Sequence, residues 1–165
     1  MEELLVSPTP SWVIVVGYCC GGILRGLLVG VLVSIVSLFF TRLPVYNIGI
    51  VFAYVILTSI VFSLAGMLNA IFAKKFDDIS IIPTFVLSPL TYLGGVFYSI
   101  TVLPKFWQVV SKFNPILYMV SGFRYGFLGT SDINIWHGII LLLLFAIVLF
   151  SICLVLIRRG TGLRS

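Results

Sequence analysis

The chain has 165 residues, 61% of them hydrophobic and 9% charged, and its mean hydropathy is +1.24. This composition excludes an ordinary soluble domain and predicts a chain whose solvent is the lipid bilayer. The net charge is +5, but the basic residues lie beside or between apolar runs, so they indicate membrane orientation and not nucleic-acid binding. Nearly all of the chain is membrane segment, which leaves no soluble domain to house catalysis.

Residues 2–10, with the sequence EELLVSPTP, form a short amphipathic segment that Pro8 and Pro10 close. The segment is too short to cross a bilayer. Its two acids precede three apolar residues, so one side can dock on protein while the other stays in water. The alternative is a frayed polar terminus.

The first long apolar segment covers residues 12–40 and exceeds the roughly 20 residues that a bilayer core needs, so one end must project. Arg25 indicates which end, because a charge at mid-bilayer costs about 2.5–3.5 kcal/mol. We expect Arg25 about one turn inside the cytoplasmic face, in contact with carbonyls or with an acid. The candidate acids are Glu2, Glu3, Asp77 and Asp78.

A row of small residues runs along the same segment at a spacing of four. Such rows let two membrane helices approach closely, although glycine is also frequent in spanning helices in general. We predict a helix-packing face made of Gly22, Gly26, Gly30 and Ser34.

Two further spans are predicted at residues 48–73 and 80–100. The second of them breaks at Pro89 and loosens at Gly94 and Gly95. A proline removes a backbone donor and crowds the preceding turn. Irregular backbone at membrane depth is tolerated only where protein or a water-filled path surrounds it. Such a break therefore favours a protein that moves something across the membrane over one that only anchors.

Residues 103–129 form an aromatic excursion after the third span. Pro104 precedes a short amphipathic helix, and Pro115 suits the first turn of a second helical piece. That second piece, which carries Tyr118 and Arg124, is too short to span. We expect both pieces at the outer face, as interfacial or re-entrant helices.

The last span covers residues 133–157, with Ser131 or Asp132 as its cap. Four spans put both termini of the chain on one side of the membrane. The basic residues next to span ends favour the cytoplasm for that side. The predicted fold class is therefore all-α integral membrane, with four transmembrane helices and short re-entrant or interfacial helices between the third and the fourth.

Residue types that carry chemistry are scarce. The three cysteines have neither disulfide nor metal spacing, and the single histidine, His137, has no second ligand at helical spacing. The glycine-rich stretches lack the Lys-Ser/Thr of a phosphate loop. No carboxylate lies within a span, so a proton-driven mechanism has no evident relay. We expect no cofactor and no metal, and energy supplied by another chain.

One set of residues occurs in a fixed order and spacing between positions 87 and 124: Leu87, Leu90, Leu93, Gly94, Val96, Leu103, Pro104, Pro115, Ile116, Tyr118 and Arg124. This set resembles the C-terminal signature of the ABC-2 type permeases, the membrane subunits of ATP-driven exporters. The likeness extends over essentially the whole chain and includes the stretches FAKKFDDISIIPTFVLSPLTYLGGVFYS and NPILYMVSGFRYGFLG.

This resemblance implies a permease that forms the substrate path in the bacterial inner membrane while a separate ATPase hydrolyses ATP. Two permease chains and two ATPase subunits would assemble. Family members have six spans, so this chain would lack the first two. The segment that would contact the ATPase is Glu2, Glu3, Leu4, Leu5, Val6, Ser7 and Pro8. The signature and outer-face residues would be Pro89, Gly94, Gly95, Pro104, Pro115, Tyr118 and Arg124.

The competing hypothesis is a self-contained four-span protein, either a small carrier or an assembly scaffold. A carrier would want an acid within a span, and the sequence has none. A scaffold would not need the aromatic excursion. The residues are compatible with apolar drugs, lipids or glycans as substrate.

Overall fold

The fold is known from a computed structural model that describes residues 10–40, 44–73, 79–80 and 83–159. Within these ranges every regular element is helical. The long helices are α1 (Ser11–Phe40), α2 (Ile48–Phe72) and α6 (Ile135–Arg159). The shorter elements are a π-helical turn (Pro83–Leu87), α3 (Ser88–Leu93), a 3₁₀ turn (Ile100–Val102), α4 (Lys105–Lys112) and α5 (Pro115–Leu128).

Three helices of the described part are long and apolar enough to cross a membrane: Ser11–Phe40, Ile48–Phe72 and Ile135–Arg158. They correspond to the predicted spans 12–40, 48–73 and 133–157. Their apolar side chains are largely exposed along the outer faces. Lipid explains this exposure, because a helix in a bilayer needs no water-excluding core on every side.

The predicted span 80–100 is irregular, in agreement with its proline and glycines, but its described helical part ends at Leu93, before residue 100. A π-helical turn at Pro83–Leu87 gives way to the single short helix α3, which carries Pro89 in its first turn. Helix α3 ends at Gly94, and Gly95 has a φ of 71°. Only glycine adopts that conformation without strain, so the chain leaves the helical path there.

The three long helices pack into a bundle with two hydrophobic clusters. One cluster joins α1 and the C-terminal parts of α2 and α6, through Val15, Leu64, Met67, Ile71, Cys153 and Ile157. The end of the bundle where this cluster lies is called the Ile71 end. The other joins the first half of α2 to α5 and α6, through Tyr54, Leu57, Val61, Met119, Leu142 and Ala146. This second cluster lies nearer the opposite end of the bundle, where α2 begins, and we call that end the Asn47 end. Helix α1 therefore runs antiparallel to α2 and α6.

Asparagine caps begin three of the helices. Asn47 accepts a hydrogen bond from the Ile50 N–H at 3.2 Å, and Asn114 accepts one from the Ile116 N–H at 3.0 Å. At α6 the prediction of Ser131 or Asp132 as the cap is wrong. Asn134 accepts from the Trp136 N–H at 3.1 Å instead, because the helix begins two residues later than predicted.

Candidate functional site

The segment from residue 79 to residue 99, which we call the broken segment, has polar contacts at both ends of the bundle. At the Ile71 end, the Asn69 side chain of α2 donates to the Ile79 carbonyl at 2.9 Å. At the Asn47 end, the Ser99 hydroxyl donates to the Asp132 carboxylate at 2.9 Å, just before α6. The described residues Ile79 and Ser99 therefore lie at opposite ends of the bundle.

The two signature glycines lie where this segment meets α5. Gly94 is buried, and a β-carbon there would lie 2.7 Å from the Ile116 side chain. Gly95 turns the chain, and its carbonyl accepts from the Arg124 guanidinium at 2.8 Å. A larger residue at position 94 would press against Ile116 of α5, and one at position 95 would be strained by the positive φ.

Arg124 belongs to a polar cluster with Asp132, Gly95 and Ser99. Its guanidinium donates to the Asp132 carboxylate at 2.9 Å and to the Gly95 carbonyl. Ser99 donates to the same Asp132 oxygen. The Arg124 and Asp132 side chains are 23% and 20% exposed. This cluster ties together the end of the broken segment, α5 and the chain before α6, and we call it the Arg124 cluster.

The prolines and Tyr118 shape the two short helices. Pro104 is the N-cap of α4, and Pro115 occupies the first turn of α5. Between them, the Asn114 side chain donates to the Leu90 carbonyl of α3. Tyr118 donates to the Lys112 carbonyl at 2.8 Å, which fixes α4 against α5.

Helix α5 packs between α2 and α6 and reaches toward their middle. Its last turn lies at the Asn47 end, where the Asn47 N–H donates to the Gly126 carbonyl at 3.0 Å. Met119, nearer its start, joins the cluster that includes Val61 and Ala146, close to the midpoints of α2 and α6. Helix α5 thus enters the bundle from one end and does not reach the other.

Tyr54 holds α5 and α6 together and was missed by the sequence reasoning. Its ring is 1% exposed, and its hydroxyl donates to the Ile135 carbonyl at 2.9 Å. Gly122 lies directly against the ring, and a β-carbon at Gly138 would lie 2.5 Å from the hydroxyl. One aromatic residue among many in this chain gives no sequence signal of such a position.

The four residues of the predicted helix-packing face lie in two different environments. A β-carbon at Gly22 would lie 2.5 Å from the Ser63 hydroxyl, and one at Gly26 would overlap Ser59, so both glycines face α2. Nothing lies within 4 Å of the corresponding position at Gly30. The Ser34 hydroxyl donates to the Gly30 carbonyl at 2.7 Å, within α1 itself.

An open groove of about 1170 Å³ runs along α1 and α2. Its lining is mostly apolar or small, with Phe123 of α5 at one side and Arg25 as the single charged residue. The Arg25 side chain is exposed. It lies between the contacts that Gly22 and Gly26 make with Ser63 and Ser59, which are near the midpoint of α2.

This register places Arg25 level with the middle of α2, whereas the sequence predicted a position about one turn inside the cytoplasmic face. Packing of Gly22 and Gly26 against α2 sets this level. The proposed acid partners at Glu2, Glu3, Asp77 and Asp78 lie outside the described residues, as does the whole ATPase-contact segment from Glu2 to Pro8.

The comparisons with known proteins identify the family. Residues 1–128 match the family described as ABC-2 type transporter. The chain belongs to the ABC-2 type transporter family. No solved structure matches it.

Named relatives agree with this membership. The inner membrane transport permease YadH of Escherichia coli K12 is 56% identical over 165 residues, which are 100% of this chain and 64% of YadH. The protein of the same name from Shigella flexneri gives the same values. Nodulation protein J of Rhizobium leguminosarum bv. viciae is 26% identical over 103 residues, 62% of this chain and 40% of that protein. The chain thus spans less than two thirds of the length of each of these relatives.

Proposed function

We propose that the chain is the membrane-spanning permease part of an ATP-driven ABC-2 type exporter of the bacterial inner membrane. The observation that carries this proposal is the match of the whole chain to a relative named as an inner membrane transport permease. The chain would form the wall of a substrate path, and a separate ATPase subunit would bind and hydrolyse ATP.

The proposed topology has four crossings, although only three are regular helices. Helix α1 would run outward, α2 inward, the broken segment from residue 79 to 99 outward, and α6 inward. The contacts of Ile79 and Ser99 at opposite ends of the bundle support the third crossing. Both termini of the chain would then lie on one side, and the basic residues near span ends favour the cytoplasm.

In this topology α4 and α5, within residues 103–129, form a re-entrant hairpin that dips in from the outer face. The packing of Met119 near the middle of the bundle supports the depth. The polar bonds of Asn114 and Arg124 to the broken segment support its function as a brace. At Gly94 and Gly95, which are buried where the segment meets α5, the irregular backbone would be covered by protein, as a bilayer requires.

The proposed partners are an ABC ATPase, in two copies, and a second copy of this permease. The segment from Glu2 to Pro8 would dock on the ATPase, with Leu4 and Leu5 buried against protein and the two acids left in water. ATPase closure would then move α1 and the broken segment. Such coupling requires that the ATPase bind two permease conformations with different affinity.

Co-purification tests the ATPase partnership. A tagged chain should retain an ABC ATPase encoded beside its gene. Leu5→Asp should abolish that retention without changing membrane insertion, because the change lies outside the spans, whereas the matched exposed change Lys105→Gln should have no effect on either. Unchanged retention in Leu5→Asp would contradict the docking segment. Absence of any ATPase in every sample would favour the self-contained four-span carrier or scaffold.

A further inference from the structure

The groove between α1 and α2 combines one cation with an otherwise apolar or small-residue lining. Arg25 lines it at the level of the middle of α2, and its side chain is exposed. In the described part of the chain the groove is lined by no carboxylate. A charge at such depth costs about 2.5–3.5 kcal/mol in lipid unless it is neutralised or reaches the interface. An intramembrane arginine therefore indicates a site for an anion.

A second polar group points to the same ligand. The Thr58 hydroxyl of α2 also lines the groove, is buried, and has no hydrogen-bond partner among the described residues. Threonines within helices ordinarily bond to the carbonyl four residues back, as Thr91 does to Leu87 at 2.7 Å. Burying a hydroxyl without a partner is unfavourable. An acceptor oxygen entering the groove would satisfy it.

The rest of the lining suits an acyl chain. Gly17, Gly21 and Gly30 all line the groove, and nothing lies within 4 Å of where their β-carbons would be. These glycines therefore leave space, whereas Gly22 and Gly26 bring the two helices together. Val29, Val55 and Phe62 supply apolar contact.

We propose that this groove binds an anionic phospholipid of the bilayer, with its phosphate on Arg25 and Thr58 and an acyl chain along the glycines. The chemistry follows from charge complementarity: a cation and a hydroxyl donor in an apolar groove match a phosphodiester with a hydrocarbon tail. This site does not depend on the ATPase or on transport. It would neutralise the one charge that the described part of α1 carries and fill the space beside α2.

Lipid retention tests the proposal. The 165-residue chain is reconstituted in nanodiscs of equal parts phosphatidylglycerol and phosphatidylcholine, extracted in mild detergent, and its bound lipid is measured by mass spectrometry. Phosphatidylglycerol should be enriched. Arg25→Gln should reduce the enrichment at least about tenfold, since losing a hydrogen bond to a charged group changes affinity by roughly a factor of ten or more. Arg25→Lys should retain part of it, and Thr58→Val should reduce it severalfold.

Matched controls locate the lipid. Gly21→Leu adds a side chain to the groove lining at a position where a β-carbon would have no neighbour within 4 Å, so it should also remove the enrichment. Lys105→Gln, which removes an exposed cation outside the groove, should not. Enrichment that survives Gly21→Leu, or equal retention of both lipids by the unchanged chain, would overturn the proposal. So would a disulfide-linked dimer of Gly30→Cys in a chain whose native cysteines are replaced by alanine, because a second copy would then occupy the groove.

Discussion

The contact between Gly122 and Tyr54 gives the sharpest prediction about how α5 is held in the bundle. In Gly122→Ala, the new β-carbon would overlap the Tyr54 ring atoms Cδ1, Cε1 and Cζ. The ring has nowhere to move, since it is 1% exposed and its hydroxyl is bonded to the Ile135 carbonyl. Either α5 must shift away from α2, or Tyr54 must rotate and lose its hydrogen bond.

The free-energy cost of each outcome can be estimated. Overpacking a close contact costs about 1–3 kcal/mol, and loss of the Tyr54 hydrogen bond adds about 1 kcal/mol. We therefore expect Gly122→Ala to lower the free energy of unfolding by about 2–4 kcal/mol. Elsewhere in a helix the same change is favourable by about 0.5–1 kcal/mol, because glycine loses more backbone entropy on folding.

Thermal unfolding of purified chain in detergent, followed by tryptophan fluorescence, measures the effect. Gly17→Ala is the matched control, since nothing lies within 4 Å of its β-carbon, and it should not destabilise. Tyr54→Phe should lose only the hydrogen bond. In a Tyr54→Leu background the cost of Gly122→Ala should fall, because contacting residues are not additive. Equal stability of Gly122→Ala and Gly17→Ala would refute the packing argument.

Three further predictions follow from other contacts. Arg124→Lys should cost about 1–2 kcal/mol of unfolding free energy, since one ammonium cannot reproduce both guanidinium bonds; the double variant with Asp132→Asn should cost little more, and additive losses would show that the two do not act together. Gly26→Leu should separate α1 from α2 and lower stability, whereas Gly30→Leu should not. If both variants lowered stability equally, the spacing of these glycines would not mark a contact with α2. An epitope tag at Ser131 should be accessible only from outside intact cells, and cytoplasmic accessibility would contradict the proposed topology.

The long helices could be predicted from sequence because a bilayer imposes a length and an apolar composition on any span. The predicted bounds 48–73 differ from Ile48–Phe72 by one residue, because Asn47 and the lysines after residue 73 mark the two ends of the apolar sequence. The break at Pro89 and Gly94 was also predictable, because proline and glycine act locally. What followed from local chemistry was therefore accessible without coordinates.

Depth and pairing could not be predicted in the same way. Arg25 was expected near an interface, but its depth depends on which residues of α2 face Gly22 and Gly26. Asp132 was considered only as a helix cap, whereas it accepts from Arg124 and Ser99 across the fold. An acid eight residues after an arginine in an aromatic segment was the one signal available, and pairing at that separation follows only from the turn between α5 and α6.

The attachments of the broken segment determine how it could move during transport. Toward the Asn47 end it is held by α5 and by the chain before α6, through Asn114, Gly94, Gly95 and Ser99. Helix α5 is in turn fixed to α2 by close contacts at Gly122 and Gly126, and its Met119 packs with Leu142 and Ala146 of α6. The attachments to the broken segment are mostly polar and partly exposed, while those to the bundle are packed and buried. Packed contacts resist gradual displacement more than a few hydrogen bonds do. A displacement of the broken segment should therefore open the Asn114 and Arg124 bonds before it dislodges α5 from the bundle.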